Sequence, residues 1–354
     1  MNNNKFLQWI LLFVLTISTT TMDAQNKIDT SETLNAQQQS IVAISALTTT
    51  GNLESLKKEL STGLNSGLTL NEIKEILTQL YAYCGFPRSL NGINTFRTLL
   101  EERKAKGIID SIGKEIIINT DITDKYEQGR KVLEVLTKTP QTKPAPGFGE
   151  FAPRMDAFLK EHLFADIFES DVLTYQQREL VTISALAAMT GVEPQLQSHL
   201  AMGRNTGLTE KQLVQVADLI EKYINKTQAN GIRTLLSKPT VSVIEADIIV
   251  RIAEIEIIPE YLEEYKNILK ENASVSVKME PGVISIFPMY QTAKPTQIRI
   301  VEIYANKAAY QSHLQTIHFQ HYKTTTLKMV KSLQLTEMST IDSETMNAIF
   351  NKLR

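Results

Sequence analysis

The sequence predicts a multi-domain chain: an all-α duplicated helical unit followed by an α+β ferredoxin-like domain. Three observations carry this reading. An internal repeat runs through the first two thirds of the chain, each copy shows helical spacing of apolar residues behind a helix-start signal, and after Pro239 the apolar period changes from helix to strand.

The repeat is explicit. Leu34–Leu47 (LNAQQQSIVAISAL) and Leu173–Leu186 (LTYQQRELVTISAL) are identical at 8 of 14 positions, 139 residues apart. Ser61–Thr69 (STGLNSGLT) and Ala201–Thr209 (AMGRNTGLT) share 5 of 9, offset by 140. Two collinear matches make residues up to about 240 a duplicated unit. In copy one Thr69 and Glu72 form a capping-box pattern, with Ile73, Ile76, Leu77, Leu80 and Cys84 on one helical stripe. In copy two Thr209 and Gln212 open the same helix, with Leu213, Val216, Ala217, Ile220 and Ile224 on its stripe. Gly67 and Gly207 fall where the preceding helix must stop. Pro140–Gly149 is too rich in proline and glycine to stay helical and reads as a linker or crossing arm. The expected division is 25–110 for copy one, 111–150 for the connecting segment and 151–240 for copy two.

Beyond Pro239, residues 243–258 are β-branched and partly alternating, and Pro259 sits at the first turn of a helix. Glu280-Pro281-Gly282 turns into a strand over Val283–Tyr290, which pairs as a hairpin with Gln297–Tyr304. A helix over Lys307–Lys331 then leads to a last strand over Ser332–Met338. The order β-α-β-β-α-β over residues 244–340 is that of a ferredoxin-like domain, with 341–354 as a tail.

Composition narrows the function classes. The 354 residues are 42% hydrophobic and 21% charged, with Lys+Arg 37 against Asp+Glu 39 and a net charge of −2, which offers no electrostatic footprint for nucleic acid. One cysteine, Cys84, excludes an intramolecular disulfide and a cysteine-based zinc site. Residues 1–24 read as a signal peptide: Lys5 precedes the apolar run Phe6–Ile17, and cleavage is expected after Ala24. The run is shorter than the roughly 20 residues that cross a bilayer, and no cysteine follows it as a lipid attachment point. The expectation is an exported protein, periplasmic or extracellular, with no membrane span after cleavage.

Ala82–Pro87 (AYCGFP), the Gly-Leu-Thr helix starts and Leu173–Leu186 resemble the carboxymuconolactone decarboxylase family in a two-copy form. That family includes decarboxylases of muconolactone-type acids and thiol peroxidases that pair a Cys-x-x-Cys with His and Glu. The peroxidase pattern is missing: His199 has Gln195 and Val192 where the cysteines would stand, and Glu59 has Ser55 and Asn52. Thiol peroxidase activity is therefore disfavoured. Copy two keeps Glu179 and His199, where copy one has Ser40 and Glu59. A carboxylate that orients an imidazole makes a general base for enolisation or decarboxylation, the chemistry the resemblance implies. Glu75 is a further candidate acid or base, matched by Gln215 in copy two, and Tyr83 matches Tyr223. The bland alternative makes His199 a satisfied helix residue and Glu75 a solvated one.

Glu280–Val283, Ile300–Tyr304 and Ala308–Tyr322 resemble the antibiotic biosynthesis monooxygenase family, including its quinol monooxygenases. The resemblance implies a dimeric α/β barrel that oxidises phenolic or quinol substrates with O₂, without metal or flavin. Under it His318 is the base, His313 its companion, Glu302 and Tyr304 hydrogen-bonding partners from the facing strand, and Phe319 and Tyr322 pocket walls. His318 and His321 share a helix face, but a metal site would need a third ligand. Histidines packed around an aromatic strip are the bland alternative.

Together these readings imply an exported, homo-oligomeric enzyme with no cofactor, acting on a small cyclic, phenolic or quinol-type compound, monooxygenase and decarboxylase-like in character. The competing reading is a non-catalytic oligomer that binds a small ligand or serves as a scaffold.

Overall fold

The computed structural model describes residues 32–116, 124–243 and 247–341, with 345, 346 and 349. The expected signal peptide and most of the expected tail lie outside the described residues. The chain divides into two units, Met1–Val241 and Ser242–Arg354.

In the helical unit, copy one folds as α1 (Ala36–Thr50), α2 (Leu53–Asn65) and α3 (Leu70–Ala105). The connecting segment supplies α4 (Lys125–Thr137) and α5 (Phe148–Phe151), and beyond it α6 (Pro153–Ala157) runs into a π-helix over Phe158–Ile167 ahead of the copy-two repeat helices. Copy two is α7 (Tyr175–Ala187), α8 (Glu193–Asn205), α9 (Glu210–Tyr223) and α10 (Lys226–Leu235). The two Thr boxes form as predicted, and Asn35 with Gln38 and Thr174 with Gln177 make two more. Each such cap is worth about 1 kcal/mol to its helix, because it satisfies amides that the first turn leaves unpaired. Gly67 and Gly207 end α2 and α8 with φ of 97° and 100°, the left-handed region that only glycine adopts cheaply.

Like packs against like. The repeat helices α1 and α7 face each other, and Ile41, Ile44, Val181 and Ile183 are fully buried in one shared core. Each such side chain contributes about 1.5–3 kcal/mol. Copy one breaks its last helix at Gly85 (φ 80°, ψ 161°), two residues before Pro87. Copy two breaks at the matched place, where α9 ends and the Asn225 side chain caps α10 by accepting from the Gln228 amide.

Residues 140–147 are non-helical, as their proline and glycine content predicts, and helices lie on either side of them. Helix α4 lies on the π-helix. Gly129 is required there, since a Cβ would stand 1.8 Å from the Lys160 carbonyl oxygen. Lys160 itself is fully buried and donates to Asp156 at 2.7 and 3.0 Å and to the Tyr126 hydroxyl at 2.9 Å.

The C-terminal unit has β1 (Ile249–Ile257), α11 (Leu262–Met279), β2 (Val283–Gln291), β3 (Lys294–Tyr304), α12 (Lys307–His313), α13 (Ile317–Thr326) and β4 (Val330–Met338). Its four strands are ordered β2-β3-β1-β4, each neighbouring pair antiparallel, which is the ferredoxin-like arrangement. Several boundaries differ from expectation: β3 begins at Lys294 rather than Gln297 and β4 at Val330 rather than Ser332. The first strand begins at Ile249 rather than Val243, and residues 244–246 lie outside the described residues. The expected single helix over 307–331 is two helices and a 3₁₀ turn: Thr316 accepts from the Phe319 amide and restarts the helix, a local bond that competes with continuation. Among the described residues no helix is long and apolar enough to cross a membrane.

Candidate functional site

In the C-terminal unit three side chains converge from three elements. Glu280 ends α11, and the turn after it must be glycine at 282, because a Cβ there would stand 2.3 Å from Ala309 Cβ on α12. That close approach brings the end of α12 to the carboxylate. His313, the last residue of α12 and 1% exposed, places Nδ1 at 2.9 and 3.2 Å from the Glu280 oxygens. The Thr316 cap then sets His318 in the first turn of α13, with Nε2 at 2.7 Å from Glu280 Oε1. Phe319 packs on the His313 ring at 4.6 Å between centroids, and Tyr304 at 5.3 Å.

Burial pushes the Glu280 carboxyl up, but the hydrogen bonds from His313 and His318 outweigh it and hold the group below the usual carboxylate range. Burial pushes His313 below the usual imidazole value, against the pull of Glu280. The pair is therefore an ionised carboxylate against a neutral His313.

A second layer lies along the sheet. Glu302 stands opposite Arg251 in the β1–β3 ladder and accepts from the Tyr304 hydroxyl at 3.2 Å. Burial raises Glu302, with Arg251 and Tyr304 opposing, and burial with Glu302 raises Tyr304. Arg251 donates to Tyr310 Oη at 2.8 Å and lies over its ring. Tyr322 shares a hydroxyl contact of 2.6 Å with Tyr265, and burial pushes it up to about 12. The expected roles shift accordingly. Glu302 and Tyr304 bond to each other, and the imidazoles donate instead to Glu280, which the sequence showed only as part of a turn. His321 is exposed on α13.

In the helical unit, the expected Glu179–His199 pair forms: His199 Nδ1 lies 2.8 Å from Glu179 Oε2, both residues buried. Tyr83, from copy one, stands edge-on to the His199 ring at 5.8 Å. Burial, then the nearby Glu179 charge, raise the Tyr83 phenol. Among the described residues Glu179 Oε1 is buried without a hydrogen-bond partner, and the buried Tyr83 hydroxyl has Thr182 as its side-chain neighbour.

Glu75 is neither solvated nor a free acid. It is 6% exposed and receives Arg178 Nη2 at 2.9 Å, while Arg178 Nη1 donates to Gln79 at 3.0 Å and Nη2 also reaches the Ser170 carbonyl. This cross-copy ion pair is a structural lock. Cys84 donates to the Leu80 carbonyl, and burial raises its thiol, away from the thiolate that peroxide chemistry needs.

One constellation had no signal in the sequence. His162 on the π-helix contacts the Tyr81 hydroxyl through Nε2 and Asp166 through Nδ1 at 2.9 Å, and Asp166 also receives Lys125. It is largely exposed. A surface groove of about 400 Å³ lined by Leu53, Lys57 and Asn91 includes none of the candidate groups.

The comparisons with known proteins fall on the same two units. The carboxymuconolactone decarboxylase family model matches residues 18–97 and 153–232, and the antibiotic biosynthesis monooxygenase model matches 248–325. Among solved structures, a Bacteroides thetaiotaomicron protein bearing the antibiotic biosynthesis monooxygenase name is 43% identical over 27% of this chain and 91% of its own, with a TM-score of 0.27. Proteins of the same name from Nitrosomonas europaea (18% identity, 27% and 99% covered, TM-score 0.26) and Caulobacter crescentus (15%, 27% and 92%, 0.26) also match. No curated protein matches the chain.

Proposed function

We propose, for a chain that belongs to the antibiotic biosynthesis monooxygenase family through its C-terminal unit and carries two carboxymuconolactone decarboxylase segments in its helical unit, that the C-terminal unit oxidises a small phenolic or quinol-type compound with O₂. The observation that carries this reading is Glu280 held between two imidazoles. An ionised Glu280 accepts from both contacting nitrogens, so the His318 lone pair lies on Nδ1. Its side chain is partly exposed, and a substrate can reach it.

An electron-rich substrate gives its hydroxyl proton to that nitrogen, and Glu280 steadies the imidazolium that forms. The substrate anion supplies the electrons that reduce O₂; oxygen bonds to a hydrogen-bearing carbon as a peroxide anion, which takes back the proton to become a hydroperoxide and then loses water, with the hydrogen of that carbon, to leave a carbonyl. Phe319, Tyr304 and Tyr322 line the surroundings, where exclusion of water favours the anion's transfer to O₂ over side reactions.

The test is oxygen uptake by the purified, chelator-treated chain with dihydroxynaphthalenes and hydroquinones. Turnover that falls about 10²–10⁴-fold in His318→Ala supports the assignment. Uptake no faster than the autoxidation blank, with the protein folded, removes it for this substrate class.

A second reading rests on Glu179 Oε1, buried and unpartnered beside His199 and Tyr83. Proton transfer there would enolise a small keto acid or lactone, so that the chain carries two activities. Export to the periplasm or exterior, from residues 1–24, and a homo-oligomeric state complete the proposal. Absence of turnover at both sites would leave an oligomeric small-ligand-binding or scaffold role.

A further inference from the structure

We infer that Glu280, His313 and His318 form a site for one divalent transition-metal ion of the zinc, nickel or cobalt class. Their donor atoms, a Glu280 carboxylate oxygen, one His313 nitrogen and one His318 nitrogen, all lie within 4.8 Å of one another. Two imidazole nitrogens with one carboxylate oxygen suit borderline ions, whereas Mg²⁺ and Ca²⁺ prefer sites made of oxygen.

The geometry needs little adjustment. Bonds of about 2.0–2.2 Å around a tetrahedral ion set neighbouring ligand atoms about 3.3 Å apart. The present contacts of 2.7 and 2.9 Å would open slightly as the ion takes the place of the two N–H protons, each of which moves through solvent to the other nitrogen of its ring, so that both histidines bind as neutral imidazoles. The three residues are also held in place independently of any ion. Gly282 seats Ala309 against the turn that carries Glu280, Tyr304 and Phe319 pack on the His313 ring, and the Thr316 cap fixes the start of α13. Three protein donors leave a fourth position for water or an anion, and His318, with 24% of its side chain exposed, marks the way in.

The ion uses the nitrogens that now bind Glu280, so the metal-filled and proton-transferring states are alternative states of the same residues. The inference stands apart from the oxygenase reading, because binding is measured without substrate.

The test is calorimetric titration of the purified, chelator-stripped chain with ZnCl₂ and MgCl₂, beside CoCl₂ titration followed by visible absorption. The expected result is one Zn²⁺ bound per chain, no Mg²⁺ bound, and a Co²⁺ d–d spectrum. Glu280→Gln and His318→Ala should each weaken Zn²⁺ binding at least about tenfold, while His321→Ala and His162→Ala leave it unchanged. His318 is partly exposed, so its removal keeps the test sound should Glu280→Gln disturb the fold. Absence of saturable Zn²⁺ binding overturns the inference. So does binding that survives His318→Ala, or binding abolished by His162→Ala or His199→Ala, which would put the ion elsewhere.

Discussion

The two copies of the helical unit hold different chemistry at matched positions. In copy two, Glu179 and His199 form a buried carboxylate–imidazole pair, with Tyr83 lent by copy one. In copy one the same places hold Ser40 and Glu59, and copy two returns Tyr223, whose phenol burial raises and which faces Glu59. Ser40 shares a hydrogen bond with Ser66 instead of orienting a ring. The aromatic residue is present in both pockets while the polar pair differs, so the scaffold alone does not make a proton-transfer site. Each pocket also draws on both copies, and neither copy builds one by itself.

The contrast extends to the groups behind the pockets. Glu75 and Arg178 make a buried ion pair between copies, whereas their counterparts Gln215 and Gln39 are neutral amides that bind the Leu34 backbone at 2.7 and 2.8 Å. The largest expected effect tests this. Glu75→Ala leaves the Arg178 guanidinium buried and unpaired, and should cost about 3–5 kcal/mol in denaturant unfolding. Gln215→Ala, which removes one hydrogen bond, should cost about 1 kcal/mol. Equal losses would show that the ionic lock is no different from its neutral mirror.

Next in size is activity. His199→Ala should slow α-proton exchange of a small keto acid in D₂O, followed by NMR, by about 10²–10⁴-fold. Glu59→Ala should leave the rate unchanged. Loss in both variants, or in neither, would break the assignment of the working pair to copy two.

A third measurement concerns the buried Asp156–Lys160 pair ahead of the copy-two repeat helices. The Lys160 and Tyr126 hydrogen bonds hold Asp156 below the usual carboxylate range, against burial that raises it. Such a group stabilises the fold above its unfolded pKa of about 4, and the contribution is lost as pH falls through the depressed folded value. Wild-type unfolding midpoints should therefore drop on acidification below about pH 4 more steeply than those of Asp156→Asn. Parallel pH profiles would show that the pair is not coupled to folding. The smallest effect is at Cys84, matched by Ile224 in copy two: Cys84→Ala should leave peroxide consumption at the level of the blank, and the native thiol should react with a disulfide reagent far more slowly than the unfolded one.

The legible and illegible parts of the molecule separate by distance along the chain. The Thr69 and Thr209 caps, the glycine stops and the Thr316 restart depend on bonds spanning three or four residues, and the first two groups were visible in the sequence. The restart lies inside the single helix that the sequence predicts over Lys307–Lys331, because a lone Thr cap carries no proline or glycine to mark a break. Glu179 with His199 was visible through the family resemblance, with 20 residues between them. The ion pair of Glu75 has no local signal, because its cation lies 103 residues away. Glu280 was read as a turn because its imidazoles lie 33 and 38 residues on.

The sequence by itself determined the duplication, the helix boundaries set by capping and the β-α-β-β-α-β order, since these follow from periodicity and from short-range hydrogen bonds. Only the tertiary structure decided what each carboxylate does. A Glu is a lock, an orienting group or a metal ligand according to the groups that folding sets against it, and those groups come from distant segments whose approach no local pattern records.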